Sequence, residues 1–187
     1  KNGGIPIYEP GLSDLVERNV SAGRLSFTTG VDQAIQSADV IFIAVGTPQG
    51  DNGEANISAV ESVATSIGKN LNTYKVICTK STVPIGTGDR IFELIQAAME
   101  EGREFDYVSN PEFLREGSAV KDFLWPDRVV IGATGERAFA VMRDVYRPLY
   151  VNEKSMLHTN VATAEMIKYA ANAFLALKIS YINEVAN

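Results

Sequence analysis

Three short polar motifs follow apolar runs of the sequence, and their side chains are of types that carry out acid–base and electrostatic chemistry. The motifs are Gly-Thr-Pro at 46–48, Lys-Ser-Thr-Val-Pro at 80–84 and Ser-Asn-Pro-Glu at 109–112. Thr47 and Thr82 contribute hydroxyl groups, which can cap a helix or hold a water molecule or a substrate hydroxyl. Glu112 contributes a carboxylate, which can act as a general base. Each motif is equally compatible with an ordinary strand-to-helix turn, since Thr, Ser, Asn and Pro commonly begin helices.

A second carboxylate, Glu116, stands four residues after Glu112. If this segment is helical, the two side chains share one face. Two carboxylates directed at one cleft repel each other, which raises the pKa of one of them toward the range useful for a general base. The alternative is a solvated helix face on which Arg115 is the local counter-charge, and both interpretations stay open.

A polar stripe of Glu165, Lys168 and Asn172 lies on a C-terminal helical segment that is otherwise nearly apolar. A buried Lys without a partner is rare, because the loss of its hydration costs several kcal/mol. The stripe therefore faces either solvent or a polar site, and we favour the site. A protonated Lys beside an amide donor is suited to stabilising an oxyanion.

Composition excludes several other kinds of protein. The 17 Lys and Arg are scattered among 23 Asp and Glu, for a net charge of −6, so no nucleic-acid partner is expected. No apolar run reaches the roughly 18 residues that span a bilayer, and residues 1–10 lack the layout of a signal peptide, so we expect a cytoplasmic protein with no membrane partner. Cys78 and His158 are the single Cys and His, which excludes an internal disulfide and predicts no metal site. We expect Cys78 in the core and a structural role for His158.

Strands and helices alternate along most of the chain. Apolar runs typical of strands buried on both faces lie at 40–45, 76–78, 107–108 and 129–131, with a weaker candidate at 25–29. Helical patterns lie at 11–22, 57–71 and 86–101. This order predicts an α/β fold with a doubly wound parallel sheet. Since ligands bind beyond the carboxyl ends of such strands, the three polar motifs are expected to converge at one edge.

Residues 160–187 form one long helical segment, rich in Ala and without Gly or Pro. Because it is apolar on nearly all sides, we expect it to be buried against other elements or a second subunit. The chain is accordingly divided into a domain at 1–159 and the beginning of a long helix at 160–187.

Six motifs together resemble, in order and spacing, the UDP-glucose/GDP-mannose dehydrogenase family. They are Tyr-Glu-Pro-Gly-Leu at 8–12, Ile-Ala-Val-Gly-Thr-Pro at 43–48, Lys-Ser-Thr-Val-Pro-Ile-Gly-Thr at 80–87, Asn-Pro-Glu-Phe-Leu-Arg-Glu-Gly at 110–117, Pro-Asp-Arg-Val-Val-Ile-Gly at 126–132 and Lys-Tyr-Ala-Ala-Asn-Ala at 168–173. The match covers nearly the whole chain, and the segment at 126–132 looks most like the UDP-glucose branch. The resemblance implies a Rossmann-type sheet followed by a long central helix.

The resemblance also implies a reaction. The family oxidises the C6 alcohol of a nucleotide sugar twice with two NAD+, through a thiohemiacetal and a thioester on a cysteine. By this resemblance Thr82 positions the catalytic water and Glu112 assists the base chemistry or the final hydrolysis. Lys168 and Asn172 stabilise the oxyanions, in agreement with the charge argument above.

The resemblance further implies the binding partners of particular residues. NAD would be contacted by Thr47, Pro48, Thr82 and Glu116. UDP-glucose would be bound by Phe113, Leu114, Arg115, Lys168 and Asn172. The long helix would join two domains and form a homodimer.

Two parts of the family pattern are absent from the sequence. The Gly-x-Gly-x-x-Gly turn that binds the pyrophosphate would precede residue 1, together with the first two strands of the sheet, and the nucleophilic cysteine would follow residue 187. We therefore expect this chain to be an internal piece that is inactive by itself.

Alternative interpretations stay open. One is a GDP-mannose enzyme, which shares the Asn-Pro-Glu-Phe-Leu-Arg-Glu segment. Another is a β-hydroxyacid-type dehydrogenase, whose long helix also pairs Lys and Asn four residues apart, although it does not account for that segment. A third is a non-catalytic module for nucleotide-sugar binding or dimerisation.

Overall fold

A computed structural model describes residues 5–51, 53–149 and 156–186 of the chain. The strands are β1 (Val40–Ile43), β2 (Lys75–Thr79), β3 (Phe105–Ser109), β4 (Val129–Ala133) and β5 (Met156–Thr159). The helices are α1 (Leu12–Ser21), α2 (Val31–Ser37), α3 (Ser58–Lys69), α4 (Thr87–Ala98), α5 (Ala119–Leu124), α6 (Glu136–Tyr146) and α7 (Val161–Ala186), with a 3-10 turn at Arg147–Leu149. The outer ends of the two predicted domains, at 1–4 and 187, lie outside the described residues, and that division stays a prediction.

The five described strands form one mostly parallel sheet in the order β1-β2-β3-β4-β5. β1, β2 and β3 are parallel neighbours, and β5 is parallel to β4. All five residues of β2 and of β4 are buried, which explains why these runs are apolar without alternation. The predicted α/β class is confirmed.

The β3–β4 pair departs from the predicted parallel arrangement, because it is antiparallel and joined only at its end, where Val108 faces Ala133 and Ser109 faces Gly132. The connection at 110–128 contains only α5. Because Ser109, the last residue of β3, faces Gly132 near the end of β4, β4 begins beyond the carboxyl end of β3 and runs back toward it.

Helices cover both faces of the sheet, as a doubly wound fold requires. On one face, Ile67 of α3 and Ile91 and Ile95 of α4 pack with Ile77 of β2. On the other, Met142 of α6 packs with Cys78 and its neighbours. Cys78 is fully buried, and this burial raises the pKa of its thiol to about 12, in agreement with its predicted place in the core.

Several elements differ from the sequence expectation. The weak strand candidate at 25–29 is wrong, since this segment is irregular and Phe27 is 76% exposed. A strand needs a neighbour for its backbone hydrogen bonds, and no described strand pairs with this segment. The helices predicted at 11–22, 57–71 and 86–101 are present as α1, α3 and α4, whereas α2, α5, α6 and β5 were not predicted.

The long helix is buried only near its beginning. Ala164, Glu165 and Lys168 are buried, whereas residues 172–186 are all exposed. Gly132 permits this docking, because a Cβ there would lie 2.6 Å from the Cβ of Ala164. Within this chain the predicted burial is therefore present only at the beginning of the helix, and cover of the second half by other elements or by a second subunit stays a prediction. Within the described parts of the chain, no helix has both the length and the apolar character to cross a membrane.

Candidate active site

The loops after β1 and β2 are tied together at the carboxyl edge of the sheet. The carbonyl oxygen of Ile43 accepts hydrogen bonds from the backbone N–H groups of Lys80 and Ser81, at 2.8 and 3.3 Å. The Thr47 hydroxyl donates a 2.8 Å hydrogen bond to the carbonyl oxygen of Thr82. Two of the predicted site residues, from separate motifs, are thus brought together as the parallel topology predicts.

A second pair forms where the segment after β3 meets α7. The Nζ atom of Lys168 donates to Oε1 of Glu112 at 2.9 Å, and Lys168 is only 7% exposed. The second carboxylate oxygen of Glu112 accepts the backbone N–H of Leu114 at 2.6 Å. The ammonium of Lys168 also lies 5.3 Å from the centre of the Phe113 ring. A buried Lys thus has its charge balanced inside a polar site, as its predicted place on the stripe implied.

These contacts decide the protonation state of Glu112. Burial acts to raise the pKa of its carboxyl group, but the hydrogen bonds from Lys168 and Leu114 and the positive charges of Lys168 and Lys80 outweigh burial and lower the pKa. Glu112 is therefore ionised at neutral pH.

The proposed repulsion between Glu112 and Glu116 is wrong. Residues 111–115 are not helical, so the two side chains do not share a helix face. Glu116 is exposed, and the partner of Glu112 is a cation, so the pKa of Glu112 falls instead of rising. Arg115 does not balance these carboxylates either, because its guanidinium donates to both oxygens of Asp122 at 3.0 and 2.7 Å. This pairing holds the pKa of Asp122 at about 2.

The three residues of the polar stripe on α7 have different surroundings. Glu165 is 2% exposed and accepts hydrogen bonds from the backbone N–H groups of Gly86 and Gly88, both at 2.7 Å. It thereby caps the beginning of α4. Lys168, three residues later, pairs with Glu112. Asn172 lies one turn beyond Lys168 and is exposed. The stripe therefore faces a polar site at Lys168, while Glu165 faces the protein backbone.

Three residues that the sequence analysis did not select hold the segment before Glu112. Lys80 Nζ donates to Asn110 Oδ1 at 3.3 Å and to the Tyr146 hydroxyl at 3.1 Å, and the Tyr146 hydroxyl donates to the same Asn110 oxygen. Asn110 Nδ2 in turn donates to the carbonyl oxygen of Val130 at 2.7 Å. Burial lowers the pKa of Lys80. Lys80 and Asn110 directly follow strands, a signal that could have identified them, whereas Tyr146 lies in a distant helix and carries no such signal.

A pocket of about 360 Å³ opens beside this network. Its lining combines cations, carboxylates and aromatic rings: Lys80, Asn110, Pro111, Glu112, Phe113, Leu114, Arg115, Lys121, Asp122, Phe123, Trp125, Pro126, Asp127, Arg128, Val129 and Tyr146. The Arg128 guanidinium lies 4.2 Å from the centre of the Phe113 ring. Three of the predicted substrate-binding residues, Phe113, Leu114 and Arg115, therefore line one pocket.

Glu112 also lines this pocket, whereas the remaining predicted site residues do not belong to its lining. Pro48 is exposed, and Thr47 and Thr82 belong to the loops beyond β1 and β2. Lys168 reaches the lining through its bond to Glu112. Among the residues that the structure describes, no group of His, Cys, Asp and Glu is arranged to bind a metal ion.

Comparison with known proteins places this geometry in context. The profile described as "UDP-glucose/GDP-mannose dehydrogenase family, NAD binding domain" matches residues 1–150, and that of the central domain of the same family matches residues 162–187. The chain is 53% identical to UDP-glucose 6-dehydrogenase TuaD of Bacillus subtilis over 187 residues, which are 100% of this chain and 40% of that protein.

Solved structures agree with this result. A UDP-glucose dehydrogenase from the archaeon Pyrobaculum islandicum superposes with a TM-score of 0.92 and 43% identity, over 98% of this chain and 42% of that one. A GDP-mannose dehydrogenase from Pseudomonas aeruginosa superposes with a TM-score of 0.90 and 35% identity, over 97% of this chain and 42% of that one. The chain thus spans about 40% of the length of the relatives that it matches. With the family profile matching most of its length, the chain belongs to the UDP-glucose/GDP-mannose dehydrogenase family.

Proposed function

We propose that the full-length protein containing this chain oxidises the C6 alcohol of UDP-glucose to the carboxylate of UDP-glucuronate, with two NAD+ per sugar. The observation that carries the proposal is the ion pair between the buried Lys168 and the half-buried Glu112 at the carboxyl edge of a Rossmann-type sheet. The identity to UDP-glucose 6-dehydrogenase TuaD supports the choice of substrate.

The β1–β2 edge fits one part of an NAD molecule. Gly46 has open space on its Cα side, Pro48 is exposed, and the Thr47 hydroxyl is bonded to Thr82. These groups are neutral, so they do not repel a dinucleotide diphosphate. Thr47, Pro48 and Thr82 would hold NAD there, and the exposed Glu116 carboxylate could accept hydrogen bonds from ribose hydroxyls. When bound, NAD+ supplies the hydride acceptor.

Lys168 and Glu112 would have different roles at the sugar carbon: Lys168 would stabilise the oxyanion, and Glu112 would accept a proton. An oxyanion that develops near Lys168 competes with Glu112 for its ammonium hydrogen bond. Once Lys168 turns to the oxyanion, Glu112 loses its main positive partner while its burial remains, so its pKa rises and it becomes a better proton acceptor. Asn172, one turn further along α7, would add an amide donor, and Thr82 would orient the water that attacks in the final step.

The pocket at 110–128 is proposed to hold part of the nucleotide sugar. Its cations and rings suit a ligand with phosphates and a flat base.

GDP-mannose is the second candidate substrate, because a GDP-mannose dehydrogenase superposes nearly as well as the UDP-glucose enzyme. A homodimer through the exposed half of α7 and a cytoplasmic location belong to the same proposal.

The stoichiometry of the full-length protein tests the proposal. NADH formation should reach two per UDP-glucose consumed, and GDP-mannose should give a much lower kcat/KM. One NADH per sugar would refute the four-electron reaction, and faster turnover of GDP-mannose would favour the second candidate.

A Lys168→Met variant should bind UDP-glucose but form NADH at a greatly reduced rate, which separates binding from chemistry.

A further inference from the structure

Glu165 joins two elements that carry different parts of the site. Its carboxylate belongs to α7, three residues before Lys168. Both of its oxygens accept backbone N–H groups, from Gly86 and Gly88, where the loop after β2 ends and α4 begins. That same loop begins with Lys80 and contains Thr82. Glu165 therefore connects the helix of Lys168 directly to the loop of Thr82.

The contact is close because Gly88 has no side chain. A Cβ at Gly88 would lie 2.4 Å from Cγ1 of Val161, 2.8 Å from Cε1 of Tyr107 and 3.1 Å from Oε1 of Glu165. Real Cβ atoms essentially never approach other atoms to within 3.0 Å, so a side chain at Gly88 would force α7 or its neighbours to shift. The position and rotation of α7 are thus determined by steric fit as well as by the two hydrogen bonds.

Helix geometry transmits this constraint to Lys168. Residues three apart on an α-helix lie on one face, about 4.5 Å apart along the axis. When Glu165 is held against α4, Lys168 is directed to the same side of α7, where it meets Glu112 at 2.9 Å. A shift or rotation of α7 would therefore change the distance between Lys168 and Glu112.

We propose that Glu165 is a positioning residue, which sets Lys168 against Glu112 and at a constant distance from the Thr82 loop by clamping α7 to the beginning of α4. The inference rests on the proposed function for its kinetic consequences but not for its structural ones. Neutral or shortened side chains at this position cannot accept both N–H groups in the same geometry.

The kinetic test uses Glu165→Ala and Glu165→Gln in the full-length enzyme, with Glu93→Gln as the control, since Glu93 is an exposed carboxylate on α4 itself. We expect kcat for UDP-glucose oxidation to fall by about 10- to 100-fold in Glu165→Ala, because a misplacement of about 1 Å has that effect. KM for NAD+ should change little. The acid limb of the kcat profile should move to higher pH, since Glu112 loses part of its contact with Lys168.

Other outcomes would overturn the proposal. A merely structural role would reduce only the amount of folded enzyme, so kcat per folded molecule and the position of its acid limb would stay unchanged. Wild-type kcat in a folded Glu165→Ala enzyme would be equally decisive against it. If Glu165→Ala does not fold, Glu165→Gln retains one acceptor oxygen and should show the same changes to a smaller extent; an unmoved acid limb in that variant contradicts the clamp.

A measurement without substrate separates this inference from the proposed function. Amide hydrogen exchange at Gly86 and Gly88 should be slow in the wild-type protein and at least about 10-fold faster in Glu165→Ala, because each lost hydrogen bond exposes its N–H group. Unchanged exchange would refute the clamp even in an active enzyme. Failure of the wild-type protein to oxidise UDP-glucose would refute the proposed function alone.

Discussion

The two halves of α7 differ in composition, and their surroundings are the opposite of what hydrophobicity alone would predict. The first half docks on the sheet through small and polar residues, Ala164, Glu165 and Lys168. The second half exposes large apolar side chains: Phe174, Leu175, Leu177, Ile179, Tyr181, Ile182 and Val185, each more than half exposed. Burial on this helix therefore follows specific partners and not hydrophobicity. The docked half carries the residues proposed to act in the reaction, and the exposed half presents an apolar surface typical of protein–protein contacts.

The largest expected effect is a loss of kcat when the positive charge of Lys168, in the docked half of α7, is removed. Lys168→Met should lower kcat by about 10²- to 10³-fold, the usual loss when one donor to an oxyanion is removed. Steady-state kinetics of the full-length enzyme measure this, with the exposed Lys69→Met on α3 as the control. A loss below about three-fold would show that Lys168 does not contact the reacting atoms.

Docking itself can be broken by adding a side chain under α7. Gly88→Val should lower the free energy of unfolding by about 1–3 kcal/mol through overpacking, because Val161 and Tyr107 already lie within 2.8 Å of the added Cβ. Denaturant unfolding measures this change. Gly46→Ala is the control, since nothing lies within 4 Å of a Cβ at that position. Equal stability of the two variants would contradict the tight docking of the first half.

Acidification should change the contributions of Glu112 and Glu165 to the free energy of unfolding in opposite directions. The pKa of Glu112 lies below its ordinary value of 4.5, so its stabilising contribution is present above that pH and is lost as pH falls through the folded-state pKa. Burial raises the pKa of Glu165 above 4.5, so its ionisation weakens the fold as pH rises from 4.5 through the folded-state pKa.

Unfolding midpoints measured from pH 7 down to about pH 3 test these signs, since this range extends to both sides of the ordinary pKa of a Glu carboxyl group. On acidification, the advantage of the wild-type protein over Glu112→Gln should shrink, whereas its advantage over Glu165→Gln should grow. Parallel changes in the two variants would show that one of the two environments is wrongly assigned.

The smallest effect on the fold is expected in the exposed half. Leu177→Ser should change the free energy of unfolding of this domain by no more than about 0.5 kcal/mol, because the residue is 64% exposed. The proposed homodimer should nevertheless weaken, which sedimentation of the full-length protein measures as a larger monomer fraction. Unchanged association would mean that this face does not form the subunit contact.

Local patterns were sufficient for much of the architecture and for part of the site. The buried runs of β2 and β4 are recognisable because strands covered on both faces need uninterrupted apolar residues. The convergence of Thr47 with Thr82 follows from parallel strand order, which places successive carboxyl ends at one edge. The reversal of β4 and the pairing of β5 could not be predicted, because strand direction depends on where the chain returns and not on composition.

Sequence alone therefore determined the alternation of strands and helices, the family, and the residue types available for chemistry, since all of these are encoded in spacing and side-chain identity. Only the tertiary structure decided that Glu112 pairs with Lys168 instead of opposing Glu116, and that Glu165 caps α4. The physical reason is that a side chain's charge state and partner depend on what the fold brings within a few ångströms. Residues 56 positions apart, such as Glu112 and Lys168, meet only through packing of α7 on the sheet.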